Sequence, residues 1–259
     1  MNILAGYLGN KKCLAEKIVP YFPAHDLYIE LFFGAGGMFF NKPKAKYNIC
    51  NDIDDEIYNL FMVLQDANKK EQLLEYMMLV PYHETLRKHW MKHYETEPIK
   101  KAGRLLFLNN YLNKVLIDMS FNISNSKKIL LERIANIYII LSDVKFMNTD
   151  FKEVFKKISF RSLEEKSRAF IYADPPYLNT INYKNKWTKK DTEDLFEKLV
   201  SSRIRFAMSE YNNAEILELA KYYNLNVNII AEKQFKKNTR TEILITNYKN
   251  ENEKRNDLF

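Results

Sequence analysis

The apolar and polar positions change rhythm repeatedly along this chain, and each change marks an element. Residues 10–19 read as a helix that begins after Gly9. Residues 27–31 (Leu-Tyr-Ile-Glu-Leu) read as a short strand, followed by a glycine-rich turn from Phe32 to Gly37 that leads into a short helix. A second strand at 46–50 ends at Asn51-Asp52, and residues 54–66 are helical. From 67 to 142 the pattern is helical throughout, with long side chains, few glycines and apolar residues at helical spacing. Strand character returns at 144–148, then a helix at 151–158 and an apolar strand at 169–173. A helix at 189–201, a strand at 204–208, a helix at 213–222 and two strands at 225–231 and 242–247 complete the pattern.

Strands alternating with helices on both flanks predict an α/β fold built on a mostly parallel sheet. The last two strands, close together, predict an antiparallel edge. The stretch at 67–142 then reads as a helical insertion, which leaves 1–66 and 143–259 as the core domain. The six glycines sharpen this picture, because Gly6, Gly9, Gly34, Gly36 and Gly37 all fall in the first 37 residues. Glycine belongs where φ is positive or where a ligand approaches the backbone.

The most informative segment is Phe170-Ile-Tyr-Ala-Asp174-Pro175-Pro176-Tyr177. A buried apolar strand runs into an acid, and two prolines stop it because each lacks an N–H and has a fixed φ. A stiff loop results at the carboxyl end of a strand, where open α/β sheets bind their ligands. A carboxylate, a free carbonyl and an aromatic face held there can grip a planar base bearing an exocyclic amine.

Other polar groups sit at comparable places. Glu30 to Gly37 has the strand–glycine turn–helix order that lets a nucleotide-like ligand lie on bare backbone, although a tight structural turn reads the same way. Asp52 stands at the spacing of an acid that accepts ribose hydroxyls, or of a helix N-cap, for which Asp54 is better placed. Asp150-Phe151 reads either as an acceptor for an adenine amino group with a covering ring, or as another N-cap with a core aromatic. Tyr7 to Lys12 places an aromatic ring, a glycine and a lysine before the first helix.

Charge and cysteines narrow the class. The net charge of +7, from 40 basic and 33 acidic residues, suits either a polyanionic partner or a lysine-rich surface without one. Cys13 and Cys50 are too few for a disulfide framework or a zinc site, which points to a reducing, cytoplasmic protein. His25, His83, His89 and His93 offer no convincing metal site, with His89 and His93 read as one solvated helix face. No apolar stretch approaches a membrane span, and the first residues lack a signal-peptide pattern. Abundant Lys, Asn and Ile suggest a low-GC bacterium or its phage.

Taken in order, Tyr-x-Gly-x-Lys, Phe-x-Gly-x-Gly, Asn-Asp, a helical block, Asp-Phe and Asp-Pro-Pro-Tyr resemble the Dam-like N6-adenine DNA methyltransferases. Residues 240–248 (Arg-Thr-Glu-Ile-Leu-Ile-Thr-Asn-Tyr) resemble that family's closing strand. The chain departs from the family at Asn10, which replaces a second glycine, and at Leu31, where a proline is usual. Residues 108–113 echo only part of the family's pattern in the helical block.

The resemblance implies a Rossmann-like methyltransferase fold and S-adenosylmethionine as donor, with no metal. It implies that Tyr7 and Lys11 line the methionine end, and that Phe32, Gly34 and Gly36 cradle the donor. Asp52 would hold the ribose, and Asp150 and Phe151 the adenine moiety. Asp174, Pro175, Pro176 and Tyr177 would hold a flipped target adenine in double-stranded DNA, with Asp174 also bordering the donor. The target-recognition insertion at 67–142 would supply basic and aromatic groups for DNA, Arg87, Lys88, Trp90, Lys92, Arg104, Lys114, Lys127 and Lys128, most of which read equally well as solvated helix faces, and the loop from Asn179 to Trp187 would fold over the base. A restriction endonuclease partner is open. So are methylation of an RNA adenine or a cytosine N4, and a DNA-binding relative without turnover. Neither cysteine follows a proline in a loop fit for attack on a pyrimidine, which argues against cytosine C5 chemistry.

Overall fold

A computed structural model describes residues 3–7, 9–115, 123–178, 187–235 and 238–250. The loop expected to cover a base falls, apart from Trp187, outside the described residues, and so does the side chain of Lys114.

The sheet has seven strands: β1 Leu27–Glu30, β2 Tyr47–Asn51, β3 Val144–Met147, β4 Ala169–Ala173, β5 Arg205–Tyr211, β6 Asn226–Phe235 and β7 Asn238–Thr246, in the order β3-β2-β1-β4-β5-β7-β6. The first five run parallel, with Ile29 opposite both Ile49 and Ile171. β7 is reversed and lies between β5 and β6, so the antiparallel element is one strand in from the edge. Pairing with β7 carries β5 on to Tyr211, three residues past the end its apolar run predicts.

Period-two alternation divides the side chains between two cores. Tyr28, Phe170, Tyr172, Ala207 and Leu244 face one side, and Ile29, Ile171, Phe206, Met208, Ile243 and Ile245 the other. Every residue of β4 is buried, which is why its text is apolar without a break. The strand that carries the Asp-Pro-Pro-Tyr loop is therefore fixed on both faces and both edges.

Helices cover both sides. α1 is Lys12–Ile18, and α2, Asp55–Gln65, is capped by Asp54, whose carboxylate accepts from the Glu56 amide at 2.9 Å. The helical block comprises α3 Ala67–Leu79, α4 Glu84–Lys92, α5 Pro98–Val115 and α6 Ile123–Leu141. α7 Phe151–Lys157, α8 Leu163–Ser167, α9 Lys189–Ser202 and α10 Ala214–Tyr222 complete the set. The turn after the glycines is a single 3-10 turn at Phe39–Asn41. α8 was not expected, although Ser162 three residues before Glu165 is a helix-start signature, and the Ser162 hydroxyl does accept from the Glu165 amide.

The block at 67–142 shares its core with the sheet domain. Leu73, Met77, Leu105, Leu106, Leu130 and Ile134 pack in one cluster with Ile57, Leu60 and Phe61 of α2. This packing corrects two expected DNA contacts, Trp90 and Arg104, and engages a third, Lys127. Trp90 is buried against Phe107, with ring centres 5.0 Å apart. Arg104 is buried, bonds Glu56 at 2.5 Å and donates through Nε to the carbonyls of Trp90 and His93 at 2.8 and 2.9 Å. Lys127 donates to the Met78 and Val80 carbonyls at the end of α3, at 2.8 and 2.9 Å. Helical spacing showed Trp90 and Arg104 as aromatic and basic residues on a helix, but not that their faces turn inward. Lys88, Lys92 and Lys128 are exposed, and Arg87 pairs with Glu84 on its own helix.

Candidate active site

The carboxyl ends of the parallel strands gather acids at one edge of the sheet. β1 ends at Glu30, Asp52 follows β2, Asp150 lies three residues past β3, Asp174 follows β4, and Glu210 stands near the end of β5. A cavity of about 500 Å³ opens there. Tyr7, Lys11, Phe32, Gly34, Asp52, Asp150, Phe151, Asp174 and Pro176 all line it. Gly36, Pro175 and Tyr177 are not among its lining residues.

The glycine turn is shaped by contact. Gly34 has φ +50°, and a Cβ there would lie 2.9 Å from the Tyr7 ring, so bare backbone is what lets that ring approach. The Gly34 amide donates to Asp52 Oδ2 at 2.6 Å, while Oδ1 accepts from the Asp54 amide at 2.9 Å. Asp52 is thus tied to the glycine turn, and Asp54 takes the capping role. Burial pushes the Asp52 carboxyl up to about 6, against the pull of those amides. Gly36, at φ +70°, faces the Phe33 and Phe40 rings instead of the cavity.

At another part of the wall, three rings form a box. Phe32 lies 5.6 Å from Phe151 and 5.5 Å from Trp187, with Phe151 and Trp187 5.8 Å apart between centres. Trp187 is held by its indole N–H, which donates to Thr192 Oγ1 at 2.9 Å. Asp150 caps α7 through the Lys152 amide at 2.8 Å and also lines the cavity. Asn51 donates to the Leu31 and Thr149 carbonyls, each at 3.0 Å, while its side-chain oxygen is buried without a hydrogen-bond partner.

Asp174 is half-buried, and the Lys11 ammonium stands 3.5 Å from it. Burial raises the Asp174 carboxyl to about 6; Lys11 draws it down and Glu242 pushes it up. Burial alone would lower Lys11, but Asp174 and Glu242 outweigh it and hold the ammonium above its ordinary value. Tyr177 is buried behind the loop, where its hydroxyl donates to Glu242 and accepts from Lys11. Glu210 braces the same loop, accepting from the amides of Leu178 at 3.3 Å and Tyr211 at 2.7 Å. Burial pushes its carboxyl to about 8. Among the described residues no group of three or more His, Cys, Asp or Glu side chains is arranged to hold a metal ion. His89 and His93 stack on each other at 4.3 Å.

Reading the sequence did not single out Glu210 or Glu242. The available signal was an acid inside an otherwise apolar strand, in Met-Ser-Glu210-Tyr and Thr-Glu242-Ile-Leu-Ile.

The sequence is 27% identical over 277 aligned positions to modification methylase StsI of Streptococcus sanguinis, an alignment covering 93% of this chain and 42% of that protein. The chain therefore spans less than half the length of this curated relative. Among solved structures, the rRNA methyltransferase aviRa of Streptomyces viridochromogenes is similar at a TM-score of 0.41 and 12% identity, over 94% of this chain and 89% of that one. A conserved hypothetical protein of Streptococcus pyogenes is similar at 0.39 and 8%, over 92% and 95%. The model of the D12 class N6 adenine-specific DNA methyltransferases matches residues 7–243, from the ring on Gly34 to the strand behind Asp174. The chain belongs to this D12 class of adenine-specific DNA methyltransferases.

Proposed function

We propose that this protein transfers a methyl group from S-adenosylmethionine to N6 of an adenine turned out of double-stranded DNA. The observation that carries the reading is the Asp174 carboxylate at the cavity wall, on a loop stiffened by two prolines and 3.5 Å from the Lys11 ammonium.

The cavity fits the donor. Its volume of about 500 Å³ lies within the range of about 300–1,000 Å³ usual for small-molecule sites. Gly34 presents bare backbone beside the Tyr7 ring in the cavity wall, and Asn51 Oδ1 is a buried acceptor in that wall without a hydrogen-bond partner among the described residues. Tyr7 and Lys11 would hold the methionine end, Phe32 and Gly34 the middle, Asp52 the ribose, and Asp150 with Phe151 and Trp187 the adenine moiety. When bound, the donor supplies an electrophilic methyl group on a sulfonium sulfur.

The chain's own residues prepare the nucleophile. The adenine amine is weak because its lone pair is delocalised into the ring. Asp174 and the Pro175 carbonyl would accept its two N–H bonds, draw that lone pair out of conjugation and stabilise positive charge growing on nitrogen. Holding the amine in line supplies much of the rate. Asp174 then receives the surplus proton. Tyr177 anchors the motif through its hydroxyl, and stacking on the base would require that hydroxyl to leave Glu242. In this reading 1–66 and 143–259 carry catalysis, while the block at 67–142 offers exposed Lys88, Lys92 and Lys128 to DNA phosphates. A restriction endonuclease partner fits the likeness to a modification methylase.

The test is to incubate the protein with labelled S-adenosylmethionine and mixed-sequence double-stranded DNA, then digest to nucleosides. Label is expected in N6-methyladenine and absent with Asp174→Ala. Label in N4-methylcytosine would reassign the base. Donor binding without label in DNA would overturn the reading.

A further inference from the structure

Beside Asp174 lies a buried cluster with one member, Glu242, that the chemistry above leaves without a task. Glu242 sits in the middle of β7, opposite Tyr211 at the end of β5, so the reversed strand delivers it to the same sheet edge as Asp174. It is 4% exposed. Its Oε1 accepts from both the Lys11 ammonium and the Tyr177 hydroxyl. Lys11 lies 4.3 Å from the centre of the Tyr177 ring, and the Tyr211 ring packs edge-on against Tyr177 at 4.5 Å. The ammonium is therefore shared unequally. It bonds Glu242 directly and keeps a longer ion-pair contact to Asp174, at 3.5 Å.

This inequality matters for an acceptor. An ammonium bonded tightly to Asp174 would occupy the lone pairs that a substrate amine needs. With no ammonium nearby, the buried carboxyl would favour its protonated form. We propose that Glu242 is a positioning residue for methyl transfer: as the direct partner of both the Lys11 ammonium and the Tyr177 hydroxyl, it keeps the two from closing fully on Asp174, so that the carboxylate can turn to a substrate amine. This role rests on the proposed reaction and extends it to a residue that touches neither donor nor base.

The groups facing Asp174 come from every neighbouring element: Lys11 before α1, Glu30 of β1, Tyr172 of β4, Tyr177 of its own loop, Glu210 of β5 and Glu242 of β7. Of the two closest charges, Glu242 raises the Asp174 carboxyl and Lys11 lowers it. Removing either one should therefore move Asp174 in opposite directions, which general loosening of the fold would not do.

The experiment follows the carboxyl carbon of Asp174 by NMR through a pH titration in the full chain, with Asp174→Asn to assign the signal, beside kcat and KM as functions of pH. Glu242→Gln is expected to bring the Asp174 midpoint below its value of about 6, and Lys11→Met to take it above. In Glu242→Gln, kcat should fall on the order of 100-fold, the cost of a misplaced reacting group, with donor KM little changed. The acid limb of its profile should move to lower pH even as the plateau drops. Glu242→Asp, which keeps the charge, should recover part of kcat. An unmoved midpoint in Glu242→Gln, or a lower melting temperature with kcat per folded molecule intact, would overturn the role. Should Glu242→Gln not fold, an unmoved midpoint in Lys11→Met overturns it as well. A wild-type protein that methylates no DNA would sink the proposed function, yet the titrations need no turnover and still decide what Glu242 does to Asp174.

Discussion

Arg104→Met separates the role of the helical block in holding the fold from its role in meeting DNA. Arg104 lies on α5 and bonds Glu56, in the first turn of α2, at 2.5 Å, with both side chains about 5% exposed. Its Nε also satisfies the carbonyls of Trp90 and His93 at the end of α4. One guanidinium thus ties three helices, and methionine keeps the stem while removing every donor. Breaking a buried, hydrogen-bonded ion pair from one side costs about 3–5 kcal/mol. That is a large share of the roughly 5–15 kcal/mol that holds a domain folded. At about 2–4 °C per kcal/mol for a chain near this size, the melting temperature should fall by roughly 6–20 °C. Glu56→Met in the same molecule should restore much of the loss, because it removes the charge stranded by the first change. Urea unfolding of the two single variants and the double variant measures all three values. The opposite result is specific. If Arg104→Met unfolds within about 1 kcal/mol of wild type and lowers the salt slope of DNA binding by about one phosphate contact, then Arg104 meets DNA and the inward packing is wrong.

Other outcomes follow from the cavity. Asp174 must be ionised to accept, and its carboxyl is raised to about 6, so kcat should climb with pH through 6 and level above it; a rate flat from pH 5 to 8 would remove Asp174 as the acceptor. Gly34→Ala forces a side chain into φ +50° and against the Tyr7 ring at 2.9 Å. It should cost about 1–2 kcal/mol of stability and weaken S-adenosylmethionine binding by calorimetry, and unchanged affinity would take the cradle away from Gly34. Glu30 is raised by burial from 4.5 to about 8, so the folded chain holds a proton that the unfolded chain releases. That stabilisation is complete below about 4.5 and is lost as pH rises through 8. Glu30→Gln should therefore gain on wild type in melting temperature from pH 5 to pH 8, and a constant difference would mean that Glu30 is charged when folded.

Much of the architecture is legible in the text because its parallel strands are buried on both faces. Ala169–Ala173 has no polar residue to blur its ends, and the prolines after it fix where the strand stops. Asp54 could be separated from Asp52 by position alone, since a cap must precede the first helical turn. Arg104 and Trp90 were misread for a related reason. Charge and aromatic content are visible in sequence, but which side of a helix meets its neighbours depends on α2, which is distant along the chain. The partners of the Tyr177 hydroxyl show the same limit, because Lys11 and Glu242 lie far from the motif along the chain.

The acids at the sheet edge show why some of the site could be found by rule and some could not. In a parallel sheet the carboxyl ends of the strands coincide, so an acid just after an apolar run is a candidate by position. Glu30, Asp52 and Asp174 all obey this, and Glu210 nearly does, one residue before β5 ends. Burial raises all four, to about 8, 6, 6 and 8 in that order, because one sheet edge collects carboxylates faster than it can hydrate them. Lys11, the ammonium in contact with Asp174, comes from before the first helix. Glu242 breaks the positional rule because β7 runs the other way, so a residue well before that strand's end reaches the site. The reversal is what brings a second carboxylate within bonding distance of Lys11.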